Sequence, residues 1–173
     1  AGKILVYDAR SFAPIEEHVI DTQGWGITHN DQQLVYSDGS HMLRFIDPAT
    51  MRVTRTLPVT LNGRPLPRLN ELEWIGDHIW ANVWQANQLV QINPKSGAVE
   101  AVADLRGRLA HSLREPETDV LNGIAWDKQR RQLWVTGKRW PFIYRIRLVD
   151  QDLPSPVRPL KPGPAQTPAA SSP

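Results

Sequence analysis

Hydrophobic and polar positions along this chain alternate in short runs separated by turn residues, and the runs recur. In residues 69–84 apolar side chains alternate through Leu72 and Trp74, Gly76-Asp77 interrupts them, and a β-rich run from Ile79 to Trp84 follows at once. Alternation, a two-residue break and a second such run predict a β-hairpin. The same arrangement appears upstream, in Trp25-Gly26-Ile27-Thr28, a polar stretch and then Leu34-Val35-Tyr36-Ser37-Asp38-Gly39. It appears again downstream in Asn122-Gly123-Ile124-Ala125-Trp126, a turn over 127–132, and Leu133-Trp134-Val135-Thr136-Gly137-Lys138.

The copies hold register. Ile27, Leu72 and Ile124 lie 45 and 52 positions apart, and Leu34, Ile79 and Leu133 lie 45 and 54 apart, so the third copy carries two extra residues in its turn. Each copy runs on into a second hairpin, at 42–48, 88–94 and 142–147. After the Asp47-Pro48 and Asn93-Pro94 turns, 53–57 and 98–102 predict a fourth strand, whereas the third copy has no clear one. Four short strands recurring at this period are the pattern of β-propeller blades.

The first segment, Lys3 to Asp8 and Glu16 to Ile20, lines up with the second half of a blade. The expected fold is therefore all-β, a partial propeller of about three and a half blades over residues 1–150. That is fewer than the four or more blades of a closed ring. The sequence accordingly reads as an N-terminally truncated piece, expected on its own to be inactive and to be unstable or self-associated, because an open arc leaves apolar blade faces uncovered.

Between blades, 58–68 carries Asn62-Gly63 and three prolines and is expected to cross a face without regular structure. Residues 104–113 space leucines by four, which predicts a short helix. From Gln151 seven of 23 residues are proline, so 151–173 is expected to be a disordered, partly polyproline II tail.

Composition narrows the function classes. Twenty basic and 18 acidic residues, a formal charge of +2, are spread along the chain and form no nucleic-acid footprint. Lys128, Arg130 and Arg131 cluster, but in a predicted turn, where they read as solvated charges. The absence of cysteine removes disulfide and thiolate chemistry. No run of about 18 apolar residues predicts a membrane span, and the five histidines show no ligand spacing for zinc.

Candidate chemistry follows from the repeat. Trp25, Asn70 and Asn122 occupy one equivalent position before the first strand's leading apolar residue, and Gly39, Trp84 and Lys138 share another at the end of the second strand. Equivalent positions in successive blades ring one mouth of the central channel. Asn70 fits either backbone satisfaction or contact with a ligand. Asn122 before Gly123 also reads as a turn residue. Trp25 between two glycines fits a ligand shelf as well as plain packing. Lys138 is either a solvated charge or a stabiliser of developing negative charge. Trp74 and Trp80 read as sheet packing, and Glu71 and Glu73, on one face, as partners in ion pairs with a neighbouring blade.

Six motifs in order, Gly24-Trp25-Gly26-Ile27-Thr28, Ser37-Asp38-Gly39, Leu69-Asn70-Glu71-Leu72-Glu73, Ala81-Asn82-Val83-Trp84, Asn122-Gly123-Ile124-Ala125-Trp126-Asp127 and Thr136-Gly137-Lys138, resemble the plant and bacterial type of glutaminyl-peptide cyclotransferase. The resemblance covers roughly residues 3–148. It implies a five-bladed propeller that converts the N-terminal glutamine of a peptide or protein to pyroglutamate with loss of ammonia, without zinc or another cofactor. It also implies an exported, periplasmic or secreted location. By motif it implies catalytic roles for Asn70 and Lys138, and a substrate-binding role for Trp25 and Trp84, which would sandwich the side chain; Asn122 joins them by its equivalent position. Gln23 departs from the acidic residue common before Gly-Trp-Gly. The family's proton-shuttling glutamate belongs to blades not found in this sequence, so the alternative is a non-catalytic propeller that binds peptide ends or joins an assembly.

Overall fold

The computed structural model describes residues 2–108 and 113–149. Among them are fifteen strands: β1 (Gly2–Tyr7), β2 (Pro14–Ile20), β3 (Gly26–His29), β4 (Leu34–Ser37), β5 (Met42–Asp47), β6 (Arg52–Pro58), β7 (Thr60–Leu61), β8 (Arg64–Pro65), β9 (Leu69–Ile75), β10 (His78–Val83), β11 (Gln88–Ile92), β12 (Val99–Asp104), β13 (Leu121–Asp127), β14 (Gln132–Gly137) and β15 (Tyr144–Ile146). They form antiparallel sheets in sequence order. β1 and β2 make a hairpin, β3 to β6 and β9 to β12 make two four-stranded meanders, and β13 to β15 make a three-stranded one. The repeat is thus present as two complete sheets and a third without a fourth strand among the described residues.

Each sheet buries its faces against its neighbours. In β10, Ile79, Ala81 and Val83 point toward the preceding sheet, joining Val35, Leu43, Phe45 and Leu57 in one core. Trp80 points the other way, into a second core with Leu121, Ile124, Leu133 and Val135. This is the period-two alternation of a strand with apolar residues required on both faces. Each fully buried Leu, Ile or Val stabilises the arrangement by roughly 1.5–3 kcal/mol. A smaller core of Ile20, Tyr36 and Ile46 ties the β1–β2 hairpin to the first full sheet. The outer face of that hairpin stays open, with Leu5, Tyr7, Ile15 and Val19 exposed.

The leading strands of successive sheets, β3, β9 and β13, lie side by side. Glycine permits the closest approach, since a Cβ on Gly26 would stand 2.3 Å from the carbonyl oxygen of Asn70. Polar side chains stitch the same seam. The Trp74 amide donates to Thr28 Oγ1 (2.8 Å), and the Trp126 amide donates to Glu73 Oε1 (3.0 Å).

Three expectations change. Residues 58–68 contain a miniature hairpin, β7–β8, because Asn62 (φ 52°) and Gly63 (φ 75°) supply the two left-handed residues of a tight turn. It is docked, not loose: Val59 is fully buried, and the Thr60 amide donates to the Gly97 carbonyl (2.9 Å). The helix expected over 104–113 is not seen in its described part, where Asp104 ends β12 and a turn follows at Gly107 (φ 74°). Glycine in the left-handed region interrupts a helix that spacing alone would allow. Residues 109–112 lie outside the described residues, as does the predicted tail 151–173. Finally, among the described residues Glu71 and Glu73 join no ion pair, and Glu73 serves a backbone amide instead. The exposed turn at 127–132 does hold a local pair, Arg130 to Asp127 at 3.0 Å.

Candidate active site

Trp25, Asn70, Trp84, Asn122 and Lys138, with Gly24, line one open cavity of about 340 Å³. The topology explains the convergence. In an antiparallel hairpin the start of the first strand and the end of the second lie at the same end. Asn70 and Asn122 are the second residues of β9 and β13, while Trp84 and Lys138 directly follow β10 and β14. Trp25 directly precedes β3. Packing the sheets side by side brings these ends together. A hollow of about 380 Å³ on the β1–β2 hairpin is comparable in size, but its carboxylates are already paired, Glu16 with His18 and Glu17 with Lys3. It gathers no free polar group of the kind found in the first cavity.

Trp25 and Trp84 form an aromatic corner. Their ring centroids are 5.6 Å apart and their planes cross at 78°, an edge-to-face contact. This corrects the expected sandwich, since rings in direct contact leave no slot between parallel faces. A ligand is offered the open faces of the corner. The Trp25 amide donates to the Ser37 carbonyl (3.0 Å), and its indole Nε1 donates to Gln23 Oε1 (3.2 Å). The Trp84 amide donates to the Arg68 carbonyl (2.9 Å).

The polar wall is built differently. Asn70 is 5% exposed. Its carbonyl accepts from Ser37 Oγ at 2.6 Å, while its side-chain amide has no hydrogen bond to another described residue and faces the cavity. Buried amides are normally paired, so an amide left free at a cavity wall is a donor held ready for a ligand. Asn122 is partly engaged, its Oδ1 accepting from the Glu71 amide at a long 3.4 Å. Lys138 is anchored by its backbone, amide to the Val120 carbonyl (2.9 Å) and carbonyl from the Asp119 amide (3.0 Å). Its ammonium is exposed and in no ion pair among the described residues.

Two carboxylates lie next to this wall. Burial pushes the Glu71 carboxyl above its usual range, against a hydrogen bond from the Leu72 amide and with added repulsion from Glu73. Burial likewise raises Glu73, opposed by the Trp126 amide and by His29. Among the described residues no three His, Asp or Glu side chains converge as a metal ion would require, and no helix is long and apolar enough to cross a membrane.

Sequence reasoning missed Ser37 and Asn82. They share a register, three residues beyond Leu34 and Ile79, and both reach into the next sheet: Ser37 Oγ to the Asn70 carbonyl, and Asn82 Oδ1 from the Gly123 amide at 3.1 Å. The repeat alignment contains that signal, but motif reading passed over it because it placed the strand ends at Gly39 and Trp84, two residues beyond each.

Comparison with known proteins points one way. The profile of the glutamine cyclotransferase family matches residues 1–148. A glutaminyl-peptide cyclotransferase of Arabidopsis thaliana is 43% identical over 149 residues, which cover 82% of this chain and 45% of that protein. The crystal structure of Myxococcus xanthus glutaminyl cyclase superposes with a TM-score of 0.72 at 33% identity, covering 79% of this chain and 61% of that one. The chain thus spans about half the length of the relatives it matches. Hydrazine synthase of Kuenenia stuttgartiensis, at 15% identity and a TM-score of 0.50, shares only the fold.

Proposed function

Because the chain belongs to the glutamine cyclotransferase family, we propose that the complete protein is a five-bladed propeller that cyclises the N-terminal glutamine of peptides or proteins without zinc. The observation that carries this reading is the single cavity lined by Trp25, Asn70, Trp84, Asn122 and Lys138. In the reaction the substrate's α-amine attacks its own γ-carboxamide. A carbon–nitrogen bond forms, the carbonyl oxygen becomes an oxyanion in a tetrahedral intermediate, and ammonia leaves as the carbonyl is restored in a five-membered lactam.

Three demands follow: a folded-back glutamine, a group to take the amine proton, and donors for the oxyanion. The aromatic corner of Trp25 and Trp84 meets the first by offering two apolar faces to the aliphatic part of the side chain. The free amide of Asn70 and the ammonium of Lys138 meet the third, each donor contributing on the order of 3 kcal/mol when well placed. Asn122 stands at the same wall and orients the strand beside Asn70. No residue of this cavity is assigned the proton transfer.

The test is ammonia release from a Gln-initiated peptide by the full-length protein. Asn70→Ala and Lys138→Ala are each expected to lower kcat by about 10²–10³. Unchanged release in both variants would refute the assignment.

A further inference from the structure

The turn at Asp38-Gly39-Ser40 lies against Trp25 and reaches Trp84 through the Arg68 backbone, although only Gly39 shares the repeat position of the cavity residues. Gly39 sits at φ 81°, and its bare Cα is the surface on which Trp25 lies, because a Cβ there would stand 2.6 Å from Trp25 Cη2. The Gly39 carbonyl accepts from the Arg68 amide (2.8 Å), and the Arg68 carbonyl accepts from the Trp84 amide (2.9 Å). Trp84 then meets Trp25 edge to face, which closes a cycle from Gly39 through Arg68 and Trp84 to Trp25 and back. Arg68 itself is held at φ 69°, a conformation that a non-glycine residue keeps only when its surroundings impose it.

The conformation of that turn is set from below by Asp38, whose side chain is only 8% exposed. Its Oδ1 accepts from the Ser40 amide (3.1 Å) and hydroxyl (2.5 Å), and its Oδ2 accepts from Arg44 Nη1 (2.6 Å). Arg44 is in turn placed over the Tyr36 ring, 5.8 Å from its centroid. Every acceptor position of the carboxylate that the fold reaches is therefore spent on the turn or on its anchor, and none is turned to the cavity.

We propose that Asp38 is a positioning residue that fixes the Trp25–Trp84 corner through Gly39, and so governs substrate affinity and not the chemical step. Asn70 is held by Ser37 Oγ (2.6 Å) and by its place in β9, and its tie to the turn is weaker, the Leu69 amide donating to the Ser40 carbonyl at a long 3.4 Å, so the oxyanion donors are expected to stay in place when the turn is disturbed. The proposal rests on the reading of this cavity as the substrate site.

Two readouts on the full-length protein test it. The first is the near-ultraviolet circular dichroism of the coupled indoles in the unliganded protein, identified by its loss in Trp84→Phe. The second is the split between KM and kcat for a Gln-initiated peptide. Asp38→Ala and Gly39→Ala are expected to abolish the indole signal and to raise KM by about tenfold with kcat within about twofold, as loss of uniform binding does. Asp38→Asn keeps an acceptor for the Ser40 amide and should restore most of the signal. Asp47→Ala is the control, because Asp47 Oδ1 accepts from the amides of Ala49 and Thr50 in a similar turn outside the cavity. Retention of the indole signal in Asp38→Ala and Gly39→Ala would overturn the proposal, as would equal loss of it in Asp47→Ala. If the wild-type protein releases no ammonia, the proposed reaction fails, while the indole signal still decides whether Asp38 fixes the corner.

Discussion

Thr28 and Glu73 occupy equivalent positions on the leading strands of successive sheets and perform the same task. Each side-chain oxygen accepts the backbone amide of a residue on the next leading strand, Trp74 at 2.8 Å and Trp126 at 3.0 Å. Those residues are again equivalent to one another in the repeat. A hydroxyl and a carboxylate are interchangeable here because the position asks only for an acceptor that reaches across the seam.

Removal of that acceptor should therefore be felt as an unpaired amide. Glu73→Ala is expected to destabilise the protein by about 1–3 kcal/mol, the cost of an unsatisfied buried donor, and Glu73→Gln, which retains an oxygen, by much less. Denaturant titration of the two variants measures the difference. Equal losses would mean that the carboxylate's charge, and not its acceptance of the Trp126 amide, matters.

The raised carboxyls of Glu71 and Glu73 set the sign of a pH effect. Burial favours their protonated forms in the folded state, so the stability they contribute is present below the ordinary glutamate range and is lost as pH rises through their elevated pKa values. Glu71→Gln should accordingly raise the melting temperature at neutral pH. The gain should be at most about 2–4 °C, because the group is partly solvated, and it should disappear below roughly pH 4. A gain of the same size at both pH values would show that charge burial is not its origin. Asp38 has the opposite sign. Burial opposes its ionisation, but Ser40 and Arg44 outweigh that and hold it below the usual range, so its contribution is lost only on acidification.

Two glycines separate backbone strain from crowding. Gly63 (φ 75°) has nothing near a would-be Cβ, whereas a Cβ on Gly97 (φ 74°) would stand 2.0 Å from the Pro58 carbonyl oxygen. Gly63→Ala should cost about 1–2 kcal/mol from the left-handed conformation alone. Gly97→Ala should add about 1–3 kcal/mol of overpacking. Chemical denaturation of the pair would contradict this packing if the two variants lost equal stability.

The uncovered outer face of the β1–β2 hairpin predicts association of residues 1–173. Val19 is 70% exposed and Leu5 50%, on the same face as Tyr7 and Ile15. Exposed apolar side chains grouped on one face, here around the Lys3–Glu17 ion pair, favour contact between copies. Light scattering is expected to report self-association that Val19→Lys with Leu5→Lys reduces, and a monomeric parent chain would remove the basis of the prediction.

Much of the architecture was legible in the sequence because a repeat reports itself. Alternation with period two marks strands, and the 45-residue spacing of Ile27 and Leu72 identifies equivalent positions before any contact is known. The same arithmetic placed Trp25, Asn70 and Asn122 in one row and Trp84 and Lys138 in another, which is why residues up to 113 positions apart were grouped as one candidate site. What periodicity does not carry is the relation between side chains on different sheets. Whether Trp25 and Trp84 face each other or meet at an edge depends on how two strand ends pack, and only the tertiary structure decided that they form a corner. The docked hairpin at Thr60–Leu61 and Arg64–Pro65 and the acceptor role of Glu73 were hidden for the same reason. Each is set by a partner remote in sequence: Gly97 for the hairpin and Trp126 for Glu73. Local pattern specified which residues form strands and which positions are equivalent, whereas contacts across the seams between sheets specified what those positions do.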